Sequence, residues 1–379
     1  MPPQDLVPLI HAAPLRGVLA VTGGGSESLP ALLTVPGASA TVLEAVVPYS
    51  AASLADWLGE PPAQACSEST ARQLARRARQ RAGALAPGAD PFELFGLGAT
   101  AALATSRPRR GEHRAHVAVE TAARTVRLTL RFEKGRRSRA EEEAATAHAI
   151  VAALAHAAGV RAIDLTRTPP GVEAELDDFV APTGWAELLL GRRQAVPLGG
   201  APAPGAGAVC LLPGSFNPPH AGHAGIAKVA AERTGRPVVY ELAVENVDKP
   251  PLDLIELRDR VAALHGAPMW LTRTPRFVEK AHLAPGAVFA VGADTIARIG
   301  DARYYAGSAA RDAALAELAE LGCRFLVFGR VDGGRFVTTG GLSLPPALAS
   351  LCDAVPEADF REDVSSTALR TRGGDSSEG

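Results

Sequence analysis

The sequence predicts an α/β protein of two domains: an N-terminal mixed-sheet α/β domain and a C-terminal Rossmann-like domain with a doubly wound parallel sheet. First, residues 208–372 alternate short apolar strands with helices, which is the pattern of repeated βα units. Second, residues 114–132 hold two segments of alternating apolar and polar side chains around a short connection, which indicates an antiparallel hairpin. Third, a run rich in Pro, Gly and Ala, typical of a linker, separates the two parts at 197–207. A length of 379 residues also favours two domains.

Composition favours a cytoplasmic protein with no nucleic-acid or membrane partner. The formal net charge is −2, so no electrostatic signal favours nucleic acid or a membrane surface. Four widely spaced cysteines indicate a reducing compartment rather than a disulfide framework or a zinc ribbon. No apolar run is long enough to span a membrane, and the first residues lack a signal-peptide pattern. Assembly with further copies of the same chain is left open.

The N-terminal domain is predicted over residues 1–160. A strand at 17–21 leads into the Gly-rich turn Thr22-Gly-Gly-Gly-Ser26, whose glycines would allow a close approach to an anion and equally suit a plain tight turn. Further strands are predicted at 43–50, 95–104, 114–120 and 125–132, and helices at 52–58, 67–82 and 138–158.

A linker region is predicted over 161–207, the second domain over 208–372, and a disordered tail over 373–379. The second domain opens with a buried strand that ends in Gly214-Ser-Phe-Asn-Pro-Pro-His-Ala-Gly-His223, followed by a helix. An anion held at that helix start would meet free backbone N–H groups, and His220 and His223 could neutralise charge on a phosphate.

That segment resembles the G-[ST]-F-[DN]-P-x-H-x-G-H signature of the nucleotidylyltransferase superfamily, the HxGH motif. At the far end of the domain, Val364-Ser-Ser-Thr-Ala-Leu-Arg370 is similar to the superfamily's I-S-S-T-x-[IVL]-R motif. Between them, Val291-Gly-Ala-Asp-Thr295 resembles the G-x-D segment of nicotinate- and nicotinamide-mononucleotide adenylyltransferases. Asp248-Lys-Pro-Pro251, with Arg258 to Arg260, loosely resembles their P-x-K…R segment.

The resemblance implies a role for each matching residue. His220, His223 and Arg370 would be catalytic, and Lys249 and Arg330 would contact the acceptor. Nucleotide-binding residues would be Gly214, Ser215, Phe216, Asn217, Gly222, Gly292, Asp294, Ser365, Ser366 and Thr367. The family also implies Mg²⁺ bound with ATP; no protein site dedicated to a metal is visible in the sequence.

The N-terminal domain resembles the nicotinamide-nucleotide amidase domain at the C-terminus of CinA proteins, over segments between residues 15 and 158. Its site departs from that family's pattern. Thr22 stands where the family has its nucleophilic serine, and Leu54 where it has a lysine. We expect an amidase-like fold with a degenerate site, in which Thr22, Ser26 and Tyr49 are the candidate residues.

The expected function is nucleotidyl transfer from ATP to a phosphate-bearing acceptor, with release of pyrophosphate. The motifs favour nicotinate or nicotinamide mononucleotide as acceptor, hence a step of NAD biosynthesis. Two alternatives stay open: a cytidylyl or other nucleotidyl transferase with a different phospho-acceptor, and a non-catalytic nucleotide-binding regulatory protein.

Overall fold

The computed structural model describes residues 3–106, 110–160, 163–245, 252–332 and 335–361. The chain divides into two compact units, Met1–Ala186 and Glu187–Gly379. Each unit carries its own α/β sheet, mixed in the first and almost wholly parallel in the second, which confirms the predicted fold class.

The first unit contains seven of the described helices, the last of which runs across the division between the units, and six strands. In chain order these are α1 (Pro3–Ala12), β1 (Arg16–Thr22), α2 (Ser28–Leu33), α3 (Ala38–Thr41), β2 (Val42–Val46), α4 (Ala51–Leu58), α5 (Glu68–Leu85), β3 (Leu94–Ala102), β4 (His113–Glu120), β5 (Arg124–Phe132), α6 (Arg139–Ala157), β6 (Val172–Val180) and α7 (Thr183–Leu189).

The sheet of the first unit has the strand order β2-β1-β3-β4-β5-β6. Strand β1 is parallel to both of its neighbours, and the other pairs are antiparallel, including the predicted β4–β5 hairpin. Helix α5 packs against β1, β3 and β4, and α6 packs against β4 and β5. The main core joins apolar residues of α1 and α6, such as Ile10 and Ile150, to strand residues such as Leu19 and Val117.

The second unit alternates strands and helices. Its elements are β7 (Ala195–Leu198), β8 (Cys210–Pro213), α8 (Ala221–Thr234), β9 (Val238–Ala243), α9 (Leu254–Ala263), β10 (Met269–Thr272), α10 (Phe277–Leu283), β11 (Val288–Gly292), α11 (Ala293–Gly300), α12 (Ser308–Glu320), β12 (Arg324–Phe328), β13 (Arg330–Asp332), β14 (Arg335–Val337), α13 (Pro346–Ala349) and β15 (Cys352–Val355).

The seven-stranded sheet of this unit has the order β15-β12-β11-β8-β9-β10-β7. All neighbours are parallel except β7, which pairs antiparallel with β10 at one edge. Its core includes Phe289 of β11, whose ring stacks on that of Phe325 in β12 with centroids 5.5 Å apart. Apolar strands covered by helices are what the alternating sequence pattern requires.

The segment predicted as a linker, 161–207, instead supplies one strand to each sheet, and this corrects that prediction. Strand β6 extends the first sheet by pairing along its whole length with β5. Strand β7 lies at the edge of the second sheet, where Pro197 stands opposite Trp270. Proline is tolerated in an edge strand because its missing N–H need not serve a second neighbour.

Candidate functional site

The strand order of the second unit creates a crevice between β8 and β11. From β8 the chain adds β9 and β10 on one side and then crosses to β11 on the other side. The connections that leave β8 and β11 therefore diverge, and ligands of open α/β sheets bind at such a point, outside the carboxyl ends of the strands. The Gly214–His220 turn follows β8, and Gly292 ends β11. Both predicted nucleotide-binding segments thus lie at the same crevice.

The turn after β8 is held by its backbone and by a buried ring. Gly214 N donates a hydrogen bond to Glu241 O of β9 at 3.0 Å. Phe216 has a left-handed backbone, φ 45°, and its side chain is 1% exposed. A Cβ at Gly214 would lie 2.6 Å from the Phe216 ring, so glycine is required there for this packing. Arg260 of α9 donates to Ser215 O at 3.2 Å.

The two signature histidines stand together at the start of α8. His220 is the N-cap residue and His223 lies in the first turn, with ring centroids 3.9 Å apart. His220 N donates to His223 Nδ1 at 3.1 Å. Because Nδ1 accepts this bond, the hydrogen-bond pattern places the proton of a neutral His223 on Nε2. The free edge of this imidazole is therefore a donor.

His223 is neutral in the folded protein over the physiological range. Burial of the ring, and after it the charge of His220, lower the pKa of His223 from 6.5 to about 4. The Phe216 ring packs against it with centroids 5.1 Å apart, which contributes to that burial. Before a ligand binds, His223 thus acts as a neutral hydrogen-bond donor rather than as a cation.

The remaining residues of the signature lie along the same turn and helix. Gly222 is buried in the first turn of α8, whereas Asn217 is exposed at the tip of the turn. The structure therefore places Gly214, Ser215, Phe216, Asn217 and Gly222 in one continuous segment.

At the end of β11, Gly292 is the N-cap residue of α11 and Asp294 lies in its first turn. Arg330, which follows β12, forms an ion pair with Asp294, with Nη1 2.7 Å from Oδ2. The structure thus brings a predicted nucleotide-binding residue and a predicted acceptor-binding residue into contact. Both side chains are about half exposed, so the pair is accessible to a ligand.

Five predicted site residues lie outside the described residues. These are Lys249, Ser365, Ser366, Thr367 and Arg370.

In the first unit, a separate pocket of about 330 Å³ is lined by Thr22, Ser26 and Tyr49, the three residues predicted there. Thr22 is buried and its hydroxyl donates to Pro48 O at 2.9 Å. The Ser26 hydroxyl donates to Glu143 Oε1 at 2.9 Å. A carboxylate accepts a proton far more readily than a peptide carbonyl, so Ser26 is better placed than Thr22 to act as a nucleophile.

Sequence reasoning missed two side chains of this pocket. Arg139 donates to Gly23 O at 3.0 Å, and Glu143 accepts from Ser26. Both lie at the start of α6, far along the chain from the Gly-rich turn. The sequence gives no local signal for such a contact. Arg260 in the second unit was expected only loosely, as part of a family segment, and its contact with the turn depends on the fold.

None of the helices in the described residues combines the length and the apolar character needed to cross a membrane. Within the same residues, no group of three or more His, Cys, Asp or Glu side chains is arranged to hold a metal ion.

Comparison with known proteins gives a family match within the second unit. Its residues 211–372 match the family model described as cytidylyltransferase-like. Curated protein sequences give no match. Among solved structures, the competence/damage inducible protein CihA from Agrobacterium tumefaciens is similar, with 22% identity and a TM-score of 0.33, over 41% of this chain and 94% of that chain. Residues 211–372 are thus similar to the cytidylyltransferase-like domains of the nucleotidylyltransferase superfamily, which supports a function in nucleotidyl transfer.

Proposed function

We propose that the second unit transfers the adenylyl group of ATP to nicotinate or nicotinamide mononucleotide and releases pyrophosphate. The observation that carries the proposal is the meeting of the His220–His223 turn and the Gly292–Asp294 segment at one crevice. The match of residues 211–372 to a nucleotidyl-transferring family supports the reaction class. The G-x-D segment supports the choice of acceptor by resemblance.

In this reaction an oxygen of the acceptor phosphate attacks the α-phosphorus of the triphosphate, and the bond to the pyrophosphate oxygen breaks. Catalysis needs positioning and stabilisation of charge, with no nucleophile from the protein. The neutral His223 would donate from Nε2 to an α-phosphate oxygen, on which negative charge increases in the transition state. The start of α8 adds backbone N–H groups directed at the same anion.

When the substrates bind, Asp294 and Arg330 would separate, and each would contact a different substrate. An exposed ion pair is worth about 1 kcal/mol or less, so a ligand can displace either partner at small cost. We propose that Asp294 hydrogen-bonds to the nucleoside and Arg330 binds the acceptor phosphate. Lys249, Ser365, Ser366, Thr367 and Arg370 complete the proposed site through the family motifs.

Magnesium would enter this site with ATP. Mg²⁺ is commonly bound by substrate phosphates together with one or two carboxylates, and it would neutralise charge on the leaving pyrophosphate. The part of the chain that the structure describes has no cluster of acidic and imidazole ligands for it, so the triphosphate would supply most of its oxygen ligands.

The proposal assigns no amidase activity to the first unit. Leu54, which stands where the resembled amidase family has a lysine, is a buried apolar side chain, 4% exposed. The Thr22 hydroxyl proton is directed at a peptide carbonyl. Neither residue supplies the activated nucleophile that amide hydrolysis requires, and Ser26, whose hydroxyl donates to Glu143, is the better-placed candidate.

Pyrophosphate release tests the proposal. ATP and CTP are each combined with nicotinate mononucleotide, nicotinamide mononucleotide and phosphopantetheine, using the full chain with Mg²⁺. We expect pyrophosphate with ATP and one or both pyridine mononucleotides. Release with CTP or with phosphopantetheine alone would favour a different transferase, which the family's description as cytidylyltransferase-like keeps as the second candidate. ATP binding without release from any pair would favour a regulatory protein.

A further inference from the structure

A buried ion pair lies beside the signature turn, at the carboxyl ends of β9 and β10. Glu241 is 1% exposed and Lys280 is 4% exposed. Lys280 Nζ donates to Glu241 Oε1 at 2.7 Å and to Thr274 O at 2.6 Å. The Thr272 hydroxyl donates to the same carboxylate oxygen. These bonds connect the end of β9 to the end of β10 and to the loop that follows it.

Stabilisation of the fold alone does not explain why an ion pair is buried at this place. Burying two charges costs several kcal/mol per ion, and an apolar pair of similar volume is often as stable or more stable. The Arg324–Asp353 pair of the same unit, between β12 and β15, shows the common alternative, because both of its side chains remain about half exposed.

The end of β9 contacts the signature turn in two ways. Glu241 O accepts the hydrogen bond from Gly214 N at 3.0 Å. The preceding residue, Tyr240, packs its ring against Phe216 with centroids 5.4 Å apart, and Phe216 packs against His223. A shift of this strand end would therefore move both the first residue of the turn and the imidazole.

We propose that Lys280 is a positioning residue for the nucleotide site. Through Glu241 it fixes the end of β9, and through β9 it fixes Gly214 and the orientation of His223. This inference rests on the proposed nucleotidyl transfer, in which those groups hold the triphosphate. Lys280 itself does not touch the reacting atoms.

The test uses the full chain carrying E241Q/K280M, which removes both charges and keeps an oxygen to accept from Thr272. The matched control is R324M/D353N, which removes an ion pair at the other edge of the sheet. We expect E241Q/K280M to fold with a Tm near that of the unsubstituted chain, to lose about 10- to 100-fold in kcat, and to show a displaced amide signal of Gly214 in ¹⁵N-glycine spectra. The control should keep both kcat and that signal.

A folded E241Q/K280M variant with unchanged kcat and an unchanged Gly214 signal would overturn the positioning role. If the unsubstituted chain releases no pyrophosphate, the proposed function fails, and the Gly214 signal alone then decides this inference. If E241Q/K280M does not fold, T272V removes one bond of the same cluster, and an unmoved Gly214 signal in that variant would overturn the proposal.

Discussion

Replacing His223 with Glu and with Ala separates its role in the helix start from its role in catalysis. Glutamate at the third helical position can accept the hydrogen bond from the N-cap backbone N–H, as in a capping box. An ionised carboxylate has no donor, so His223→Glu keeps an acceptor for His220 N and removes the imidazole donor. His223→Ala removes both.

The structure sets the size of each loss. In His223→Ala, the unpaired His220 N–H and the missing edge contact with Phe216 together cost about 1 to 3 kcal/mol. For a domain of this size, that lowers Tm by about 2–4 °C per kcal/mol. Loss of a donor to the developing charge costs about 10²- to 10³-fold in kcat, and we expect that loss in both variants.

The assay is pyrophosphate release at saturating ATP and mononucleotide, with thermal unfolding measured on the same samples. His282→Gln is the matched control, because His282 is an exposed histidine on α10 whose ring pairs with Glu317. It should leave kcat unchanged. The reasoning would be refuted if His223→Glu kept near-normal kcat while His223→Ala lost activity and stability together, because the imidazole would then act only as a cap.

Three further outcomes follow from the contacts described above. The pKa of His116 is lowered from 6.5 to about 4, mainly by burial, so the folded state binds its proton less readily than the unfolded chain. Stability should therefore fall as pH drops from 6.5 towards 4, by at most about 3 kcal/mol for this group. His116→Gln should weaken the dependence of the urea-unfolding midpoint on pH over that window, and an unchanged dependence would contradict the prediction. Arg330→Met should leave Tm almost unchanged and raise KM for the mononucleotide about tenfold or more, since the lost contact is a charge-assisted bond to phosphate; an unchanged KM would remove Arg330 from the site. The full chain should release no ammonia from nicotinamide mononucleotide; release abolished by Ser26→Ala and retained in Thr22→Val would instead show a working hydroxyl–carboxylate pair with Glu143.

The turn of the second unit could be predicted because its chemistry is local. Gly214 and the two histidines follow a buried strand directly, and a spacing of three residues puts both imidazoles at one helix start. The protonation of His223 could not be predicted, because it depends on burial and on a bond from His220 N that exists only once the helix has formed.

Most of what could not be predicted from the sequence depends on contacts between distant segments. Strand β6 is an exception, because Val172, Ala174 and Leu176 alternate with acidic residues and this pattern is typical of a strand. Strand β7 has four residues, one of them Pro197, and no periodicity can be seen over that length. Its position follows from pairing with β10, which is a property of the assembled sheet.

Strand β7 also determines where the second unit can be separated from the rest of the chain. The composition suggests a cut before residue 208, within the Pro/Gly/Ala run. A fragment that begins there would lack Ala195–Leu198 and would leave the backbone N–H and C=O groups of Met269–Thr272 bare along the sheet edge. Bare edges recruit strands from other molecules, so that fragment would tend to aggregate. A fragment that begins at Glu187, where the compact unit itself begins, keeps β7, although this position lies within α7.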